Sequence, residues 1–306
     1  MFYPLLAAFP LLVVVLGLLG PVSSQIDAFL QPNVDNADSS PSLSPRILLL
    51  TAHPDDECFF FAPTVLSLLA SHDRDARTPE VFSLCLSTGN ADGMGERRRG
   101  ELSRSLDVLG IDQEKRWVVD HPELQDNITM QWNAEVIAET ITPYILENRI
   151  TTILTFDGKG ISLHPNHFSL PFGVSHLISS WSFMPDSTLP RPRLFTLITV
   201  PVLTKYSGII SALLARLDIL LQQSLTYLLV PSTTISTPEP PIASSISKTQ
   251  AQALAPTMPV FISGTSEFFI TARAIKTHNS QLVWFRYLYM IFSRYMWVNE
   301  WVEVRS

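Results

Sequence analysis

Arg46-Ile47-Leu48-Leu49-Leu50-Thr51-Ala52-His53-Pro54-Asp55-Asp56-Glu57 is the stretch on which the fold turns. Its first half is a short, unbroken aliphatic run, the pattern of a strand buried on both faces of a parallel sheet. Its second half sets one imidazole, a proline and three carboxylates where the chain would leave that sheet.

Working outward, the same motif of strand followed by polar cluster recurs. Strands are expected at 46–51, 81–87, 117–119, 152–156 and 194–200, with helical segments between them. Residues 95–109 place Leu102, Leu106 and Leu109 on one helical face and Arg and Glu on the other. Residues 133–148 form a second such helix, in which Pro143 marks a kink or break. Strands separated by helices predict an α/β fold: a Rossmann-like, doubly wound, mostly parallel sheet with helices on both faces. Polar clusters follow the first strand (53–57), the second (88–92) and the fourth (157–167). Ligands of open α/β sheets bind beyond the carboxyl ends of the strands, so the three clusters are expected to converge on one crevice.

The chemistry of those clusters is that of a catalytic zinc site. His53 and Asp56 stand three apart across a strand end, and His164 and His167 stand three apart after a Gly-containing loop. Three protein ligands leave a fourth position for water. Asp55, beside a ligand, is suited to take a proton from that water and return it to a leaving amine. One imidazole of the second pair completes the metal shell, and the other is free to donate to a developing oxyanion. The competing reading makes Asp55 and Asp56 helix caps with no metal. Ser87-Thr88-Gly89-Asn90-Ala91-Asp92-Gly93 looks like a phosphate loop but lacks the Gly-Lys-Ser/Thr ending. Of Arg97, Arg98 and Arg99, one facing the crevice has the planar fork to grip a phosphate.

The remaining sequence sets the boundaries. The 306 residues are long enough for one sizeable core with an appendage; 16% are charged and the mean hydropathy is +0.20, an apolar balance that suggests membrane association. The net charge of −7 gives no sign of nucleic-acid binding. Cys58 and Cys85 lie in apolar stretches and read as buried free thiols. Residues 1–26 carry no charged side chain. From Pro4 to Val22 a helix would reach about 28 Å, close to a bilayer core, so this is an N-terminal membrane helix or a cleaved signal. Residues 27–45 read as a linker, 46–306 as the catalytic domain, and 231–258, rich in Pro, Ser and Thr, as an insertion in it. Residues 207–230 are apolar but interrupted by Arg216 and Asp218, which favours an amphipathic helix over a membrane span. The chain from Thr271 to Tyr295 reads as helical and strongly aromatic.

The motifs Ala52-His-Pro-Asp-Asp-Glu57, Leu86-Ser-Thr-Gly-Asn-Ala-Asp-Gly93, Thr155-Phe-Asp157 and His164-Pro-Asn-His167 resemble those of the LmbE-like zinc de-N-acetylases. His278-Asn-Ser-Gln-Leu-Val-Trp-Phe-Arg-Tyr-Leu-Tyr289, with Ser293-Arg-Tyr-Met296, resembles the PIG-L-like branch, the N-acetylglucosaminylphosphatidylinositol deacetylases. The resemblance implies zinc held by His53, Asp56 and His167, Asp55 as general base, His164 as oxyanion stabiliser and Arg98 as a substrate contact. It departs from the family pattern at Gly158-Lys159-Gly160 and at Leu163. It further implies a phosphatidylinositol-linked amino sugar as substrate, a role in GPI-anchor biosynthesis, and residence in the endoplasmic reticulum membrane with the catalytic domain facing the cytosol. On that side the sequon Asn127-Ile128-Thr129 stays unmodified. Two other functions compete: a secreted deacetylase or amidase acting on a soluble amino sugar, and a catalytically silent binding protein on the same fold. Intact His53, Asp55, Asp56 and His167 speak against the second.

Overall fold

A computed structural model describes residues 20–30, 44–71, 78–183, 189–229 and 258–305. Five parallel strands form its centre: β2 (Arg46–Thr51), β3 (Glu80–Cys85), β4 (Arg116–Val118), β5 (Thr152–Phe156) and β6 (Arg193–Leu197). Each is the strand expected from its apolar run, to within two or three residues at the ends. Three further strands escaped the sequence reading. β1 (Val22–Ser24), β7 (Val260–Ile262) and β8 (Val298–Val304) extend the sheet antiparallel beyond β6, giving the order β1-β7-β8-β6-β5-β2-β3-β4. The sheet is therefore mixed, with a parallel half and an antiparallel edge.

From β2 the chain moves outward to β3 and β4, then returns to the other side of β2 for β5 and β6. Between β2 and β5 the winding reverses. The diverging connections leave a crevice at the carboxyl ends of this pair, which is where doubly wound sheets bind ligands. β2 and β5 are buried along nearly their whole length.

Eleven α-helices occur among the described residues. α1 (Asp27–Leu30), α2 (Asp56–Phe59), α3 (Ala62–Ala70) and α4 (Gly95–Leu109) precede β4. α5 (Ala134–Glu147), α6 (Gly160–Leu163), α7 (Pro165–Ser180), α8 (Val202–Lys205) and α9 (Ile209–Leu229) come next, then α10 (Thr265–Thr277) and α11 (Trp284–Phe292). α4 has the expected bounds and buries Leu102, Leu106 and Leu109. α5 runs through Pro143 without ending, so of the expected kink or break it is the break that does not occur. The core keeps it whole: Ile137, Ala138, Ile141 and Ile145 are buried on one face, an apolar gain larger than one lost ladder bond.

Part of the expected anchor and linker is folded. β1 pairs with β7, and Phe29 of α1 is fully buried, edge-on to Phe195 and Trp301 and stacked on Phe261. Burying such a ring contributes about 1.5–3 kcal/mol, enough to tie this segment to the domain. The rest of the expected membrane helix (1–19), most of the linker (31–43) and nearly all of the insertion (230–257) lie outside the described residues. No described helix is long and apolar enough to cross a membrane; that includes α9, the segment read as amphipathic. Cys58 and Cys85 are free and buried, as expected.

Candidate active site

His53 to Asp56 follow β2, and His164 and His167 sit where β5 leads into α7, so the switch point between β2 and β5 brings the two motifs together. Local rules aim each side chain. His164 is the N-cap of α7, accepting the Asn166 N–H on Nδ1, and Pro165 takes the first helical position, where no N–H is needed. That start carries His167 onto the first turn, where its ring stacks flat on Phe156 at 4.2 Å. Asp56 opens α2 and accepts the Ala52 and His53 N–H groups on Oδ2, leaving Oδ1 toward His167. Asp55 precedes it at φ 124°, a conformation that side chains rarely adopt, and its side chain caps nothing. The capping interpretation of this acidic pair is thus unrealised.

The hydrogen-bond network assigns a tautomer to each ring in its neutral form. Asn166 donates through Nδ2 to the Met130 carbonyl and accepts the Asn127 N–H on Oδ1, so its oxygen faces His53. His53 Nε2 meets that oxygen at 3.0 Å and Asp126 Oδ1 at 3.2 Å. Both are acceptors, so Nε2 carries the proton and Nδ1 is a bare lone pair. His167 Nδ1 donates to the Gly160 carbonyl at 3.1 Å, leaving Nε2 bare. These two lone pairs face each other at 3.1 Å, and Asp56 Oδ1 stands 3.2 Å from His167 Nε2. Three acceptors converging in a buried place repel one another unless a cation lies between them. Donor atoms around a tetrahedral zinc with bonds of about 2.0–2.1 Å stand about 3.3 Å apart. The three residues therefore fit a zinc ion, each imidazole being oriented by an acceptor behind it.

His164 also comes within reach: ring nitrogens of His53, His164 and His167 all lie within 4.8 Å of one another. Its accepting Nδ1 leaves Nε2 as the donor, 3.9 Å from Asp126 Oδ1. Burial and the neighbouring imidazoles push its pKa down to about 4, so near neutral pH the ring is uncharged with one N–H to give. His53 is lowered too, chiefly by burial. Burial raises the Asp55 carboxyl, against the pull of Arg286 at 3.2 Å and Arg98 at 3.7 Å.

Arg98 is buried on α4, and its guanidinium ties the loops together. Nη1 donates to the Gly89 carbonyl at 2.9 Å and Nη2 to the Pro54 carbonyl at 2.8 Å. This explains the phosphate-loop look of Ser87 to Gly93. Gly89 lies at φ +68°, and a Cβ there would stand 2.4 Å from the Arg98 Cζ. The loop closes on an arginine of the same chain.

A pocket of about 720 Å³ holds His53, Asp55, Asp56, Arg98, His164 and His167, and so unites all six expected site residues. The sequence reading missed others. Asp126 touches His53, Arg98 and His164, from the loop after β4. The rule applied to the other strand ends would have found it there. Arg286 was hidden among aromatics. Glu57 and His278 form a fully buried pair at 2.7 Å, and Ser105 donates to the same carboxylate. The other oxygen of Glu57 accepts the Asp55 N–H, holding the strained peptide of that residue. Cys58 adjoins this cluster, but burial keeps its thiol protonated, and it donates to the Asp55 carbonyl. That corner is a hydrogen-bonded clamp rather than a second metal site. Ser280 binds Glu101 by N–H and hydroxyl, so the motif from His278 to Gln281 docks the C-terminal helices onto α2 and α4.

Known proteins resemble this chain over most of its length. The family model described as PIG-L: GlcNAc-PI de-N-acetylase matches residues 48–178. The N-acetylglucosaminyl-phosphatidylinositol de-N-acetylase of Bos taurus is 33% identical over 261 residues, covering 83% of this chain and 81% of the relative. The chain belongs to the GlcNAc-PI de-N-acetylase (PIG-L) family. A probable enzyme of the same name from Dictyostelium discoideum is 30% identical over 294 residues, 89% of this chain and 98% of the relative. Among solved structures, N,N'-diacetylchitobiose deacetylase from Pyrococcus horikoshii superposes with a TM-score of 0.50 at 14% identity. It covers 85% of this chain and 83% of that one, a likeness of fold. The matched span begins in β2 and ends in α7, and it contains all six expected site residues.

Proposed function

We propose that this protein hydrolyses the N-acetyl group of N-acetylglucosaminyl phosphatidylinositol, yielding glucosaminyl phosphatidylinositol and acetate in GPI-anchor biosynthesis. The observation that carries the reading is the convergence of His53 Nδ1, His167 Nε2 and Asp56 Oδ1 beside a carboxylate, Asp55, that is not needed to hold a metal. His53, Asp56 and His167 would hold a zinc ion, which would supply Lewis-acid chemistry for the amide carbonyl and for a nucleophilic water near neutral pH. Asp55 takes a proton from the attacking water on its carboxylate and gives it to the amine nitrogen as the C–N bond breaks. His164 Nε2–H donates to the oxyanion that the carbonyl oxygen becomes. Asp126 holds the His53 proton and faces His164, orienting both rings. Arg98 keeps the Pro54 and Gly89 loops closed around the sugar and is the substrate-contacting arginine of this reading. The enzyme sits in the endoplasmic reticulum membrane with this domain in the cytosol, so Asn127 should carry no glycan in cells; endoglycosidase-sensitive material would refute that topology.

The test is a deacetylation assay on the lipid-linked substrate and on free N-acetylglucosamine, with and without chelator. Turnover of the lipid-linked sugar that chelator abolishes and zinc restores is the expected result. Chelator-resistant turnover, or a preference for the free sugar, would overturn the reading.

A further inference from the structure

The helices around the mouth of the pocket expose an apolar surface that the core does not use. On α9, Ile210, Leu214, Leu217, Leu221 and Leu225 recur every three or four residues, and all are more than half exposed. The opposite stripe, with Ala212 and Ile219, is the one packed on the domain. On α11, Met290 is buried while Trp284 is 75% and Ile291 59% exposed. α8 adds Leu203, 90% exposed. The start of α9 and the end of α11 adjoin, the N–H of Gly208 donating at 2.7 Å to the carbonyl of Phe292.

The same elements line the pocket. Tyr206, Phe285, Leu288 and Phe292 lie on its wall together with Lys205 and Arg286. Arg286 points the other way from Trp284 on α11, its guanidinium 3.2 Å from Asp55 and 4.4 Å from the Phe59 ring. The terminal nitrogens of Arg98 are already given to backbone carbonyls, so Arg286 is the better placed cation for an anion entering from outside. A second copy or a protein partner seated on this surface would close the mouth. A bilayer would open it onto the lipid phase. The mixture of Trp, Tyr and Phe with Leu and Ile, bordered by cations, suits a helix lying in the headgroup zone. α9 is not long and apolar enough to span, and over the stripe from Ile210 to Leu225 it runs about 22 Å, a length for lying on a membrane.

We infer that the exposed faces of α8, α9 and α11 form one docking surface that seats the pocket mouth on a phospholipid bilayer, with Arg286 at headgroup level to take the lipid's phosphodiester. This rests on the proposed function for the identity of the lipid. Docking draws the acyl chains along α11 while the sugar reaches His53, Asp55 and His167.

The test uses the full chain reconstituted into phosphatidylcholine vesicles containing phosphatidylinositol. Trp284 is the most exposed tryptophan, so lipids brominated on their chains should quench emission, and Trp284→Phe should remove most of that quenching. Quenching unchanged by Trp284→Phe would overturn the docking. Leu217→Glu with Ile291→Glu should lower kcat/KM on the bilayer-embedded substrate by about tenfold or more, since charge in the headgroup–acyl boundary is costly. Turnover of water-soluble N-acetylglucosaminyl inositol phosphate, which lacks the acyl chains, should stay unchanged. Equal loss on both substrates would overturn the inference, as would a change in oligomeric state with lipid turnover intact. If the unaltered enzyme turns over neither substrate, the proposed function fails, and the quenching still decides the docking by itself.

Discussion

Asp55 and Asp56 are adjacent, chemically identical and buried, yet their surroundings give them different work. Asp56 has two backbone N–H groups behind it and two imidazoles in front, which hold its carboxyl well below the usual range although burial opposes this. Asp55 lacks such donors and is raised by burial, as a base working near neutral pH requires. Asp55→Asn should keep zinc and lower turnover by about 10²–10⁴-fold, whereas His167→Ala should lose both metal and activity. Metal analysis beside the assay separates the two; full zinc occupancy in His167→Ala would remove it from the ligand set. Behind Asp55, His278 is raised by Glu57 despite burial, and Glu57 is correspondingly lowered. A raised histidine adds stability that is complete below its unfolded pKa and is lost as pH climbs through the folded one. His278→Gln, which can donate to Glu57 but not ionise, should therefore cost most at about pH 6 and less on the alkaline side. Removing the charge of one partner in a buried pair costs up to about 3–5 kcal/mol. A difference in thermal midpoint that grows with pH would contradict the pairing.

At the scale of elements, what the sequence disclosed depended on how each segment is buried. β2 and β5 are covered on both faces, so their apolar runs are continuous and their bounds were readable. β8 mixes buried and half-buried positions with two glutamates and a buried Asn299 paired to Thr64 and Phe60, and β1 and β7 are three residues each, too short for a periodic signal. The span from Thr271 to Tyr295, helical and aromatic by sequence, is divided between His278 and Val283, where His278 and Ser280 turn inward to Glu57 and Glu101. The proposed metal ligands were legible because their types and spacing are unusual; Asp126 carries less signal, since it shares its loop with Asp120 and Glu123 and only its place after a strand end marks it. The joint between α5 and α7 yields a test of packing. A Cβ on Gly173 would lie 2.5 Å from the Ile137 Cβ, inside contact distance. Gly173→Ala should destabilise by about 1–3 kcal/mol through overpacking, and Ile137→Ala should recover part of that loss in the double variant. Strict additivity in denaturant unfolding would show that the two helices do not meet there.

For the molecule as a whole, the site is a seam. His53 and Asp56 come from the end of β2, His167 from beyond β5, and Arg286 and His278 from the C-terminal helices that flank the antiparallel strands β7 and β8. A metal at the seam would cross-link segments more than one hundred residues apart in the chain. Because the unfolded chain cannot offer these ligands together, binding to the native state adds directly to folding stability. Free zinc at one hundred times its dissociation constant adds about 2.7 kcal/mol. Chelation should accordingly lower the thermal midpoint of the unaltered protein and leave that of His167→Ala where it is. Asp55→Asn should behave like the unaltered protein, since its carboxylate is not a ligand in this arrangement. A midpoint indifferent to metal, with zinc content verified in the same sample, would mean that the three converging acceptors are relieved by a proton rather than by an ion. In that case His167, which Asp56 already holds above its ordinary pKa against the effect of burial, is the group that would carry it.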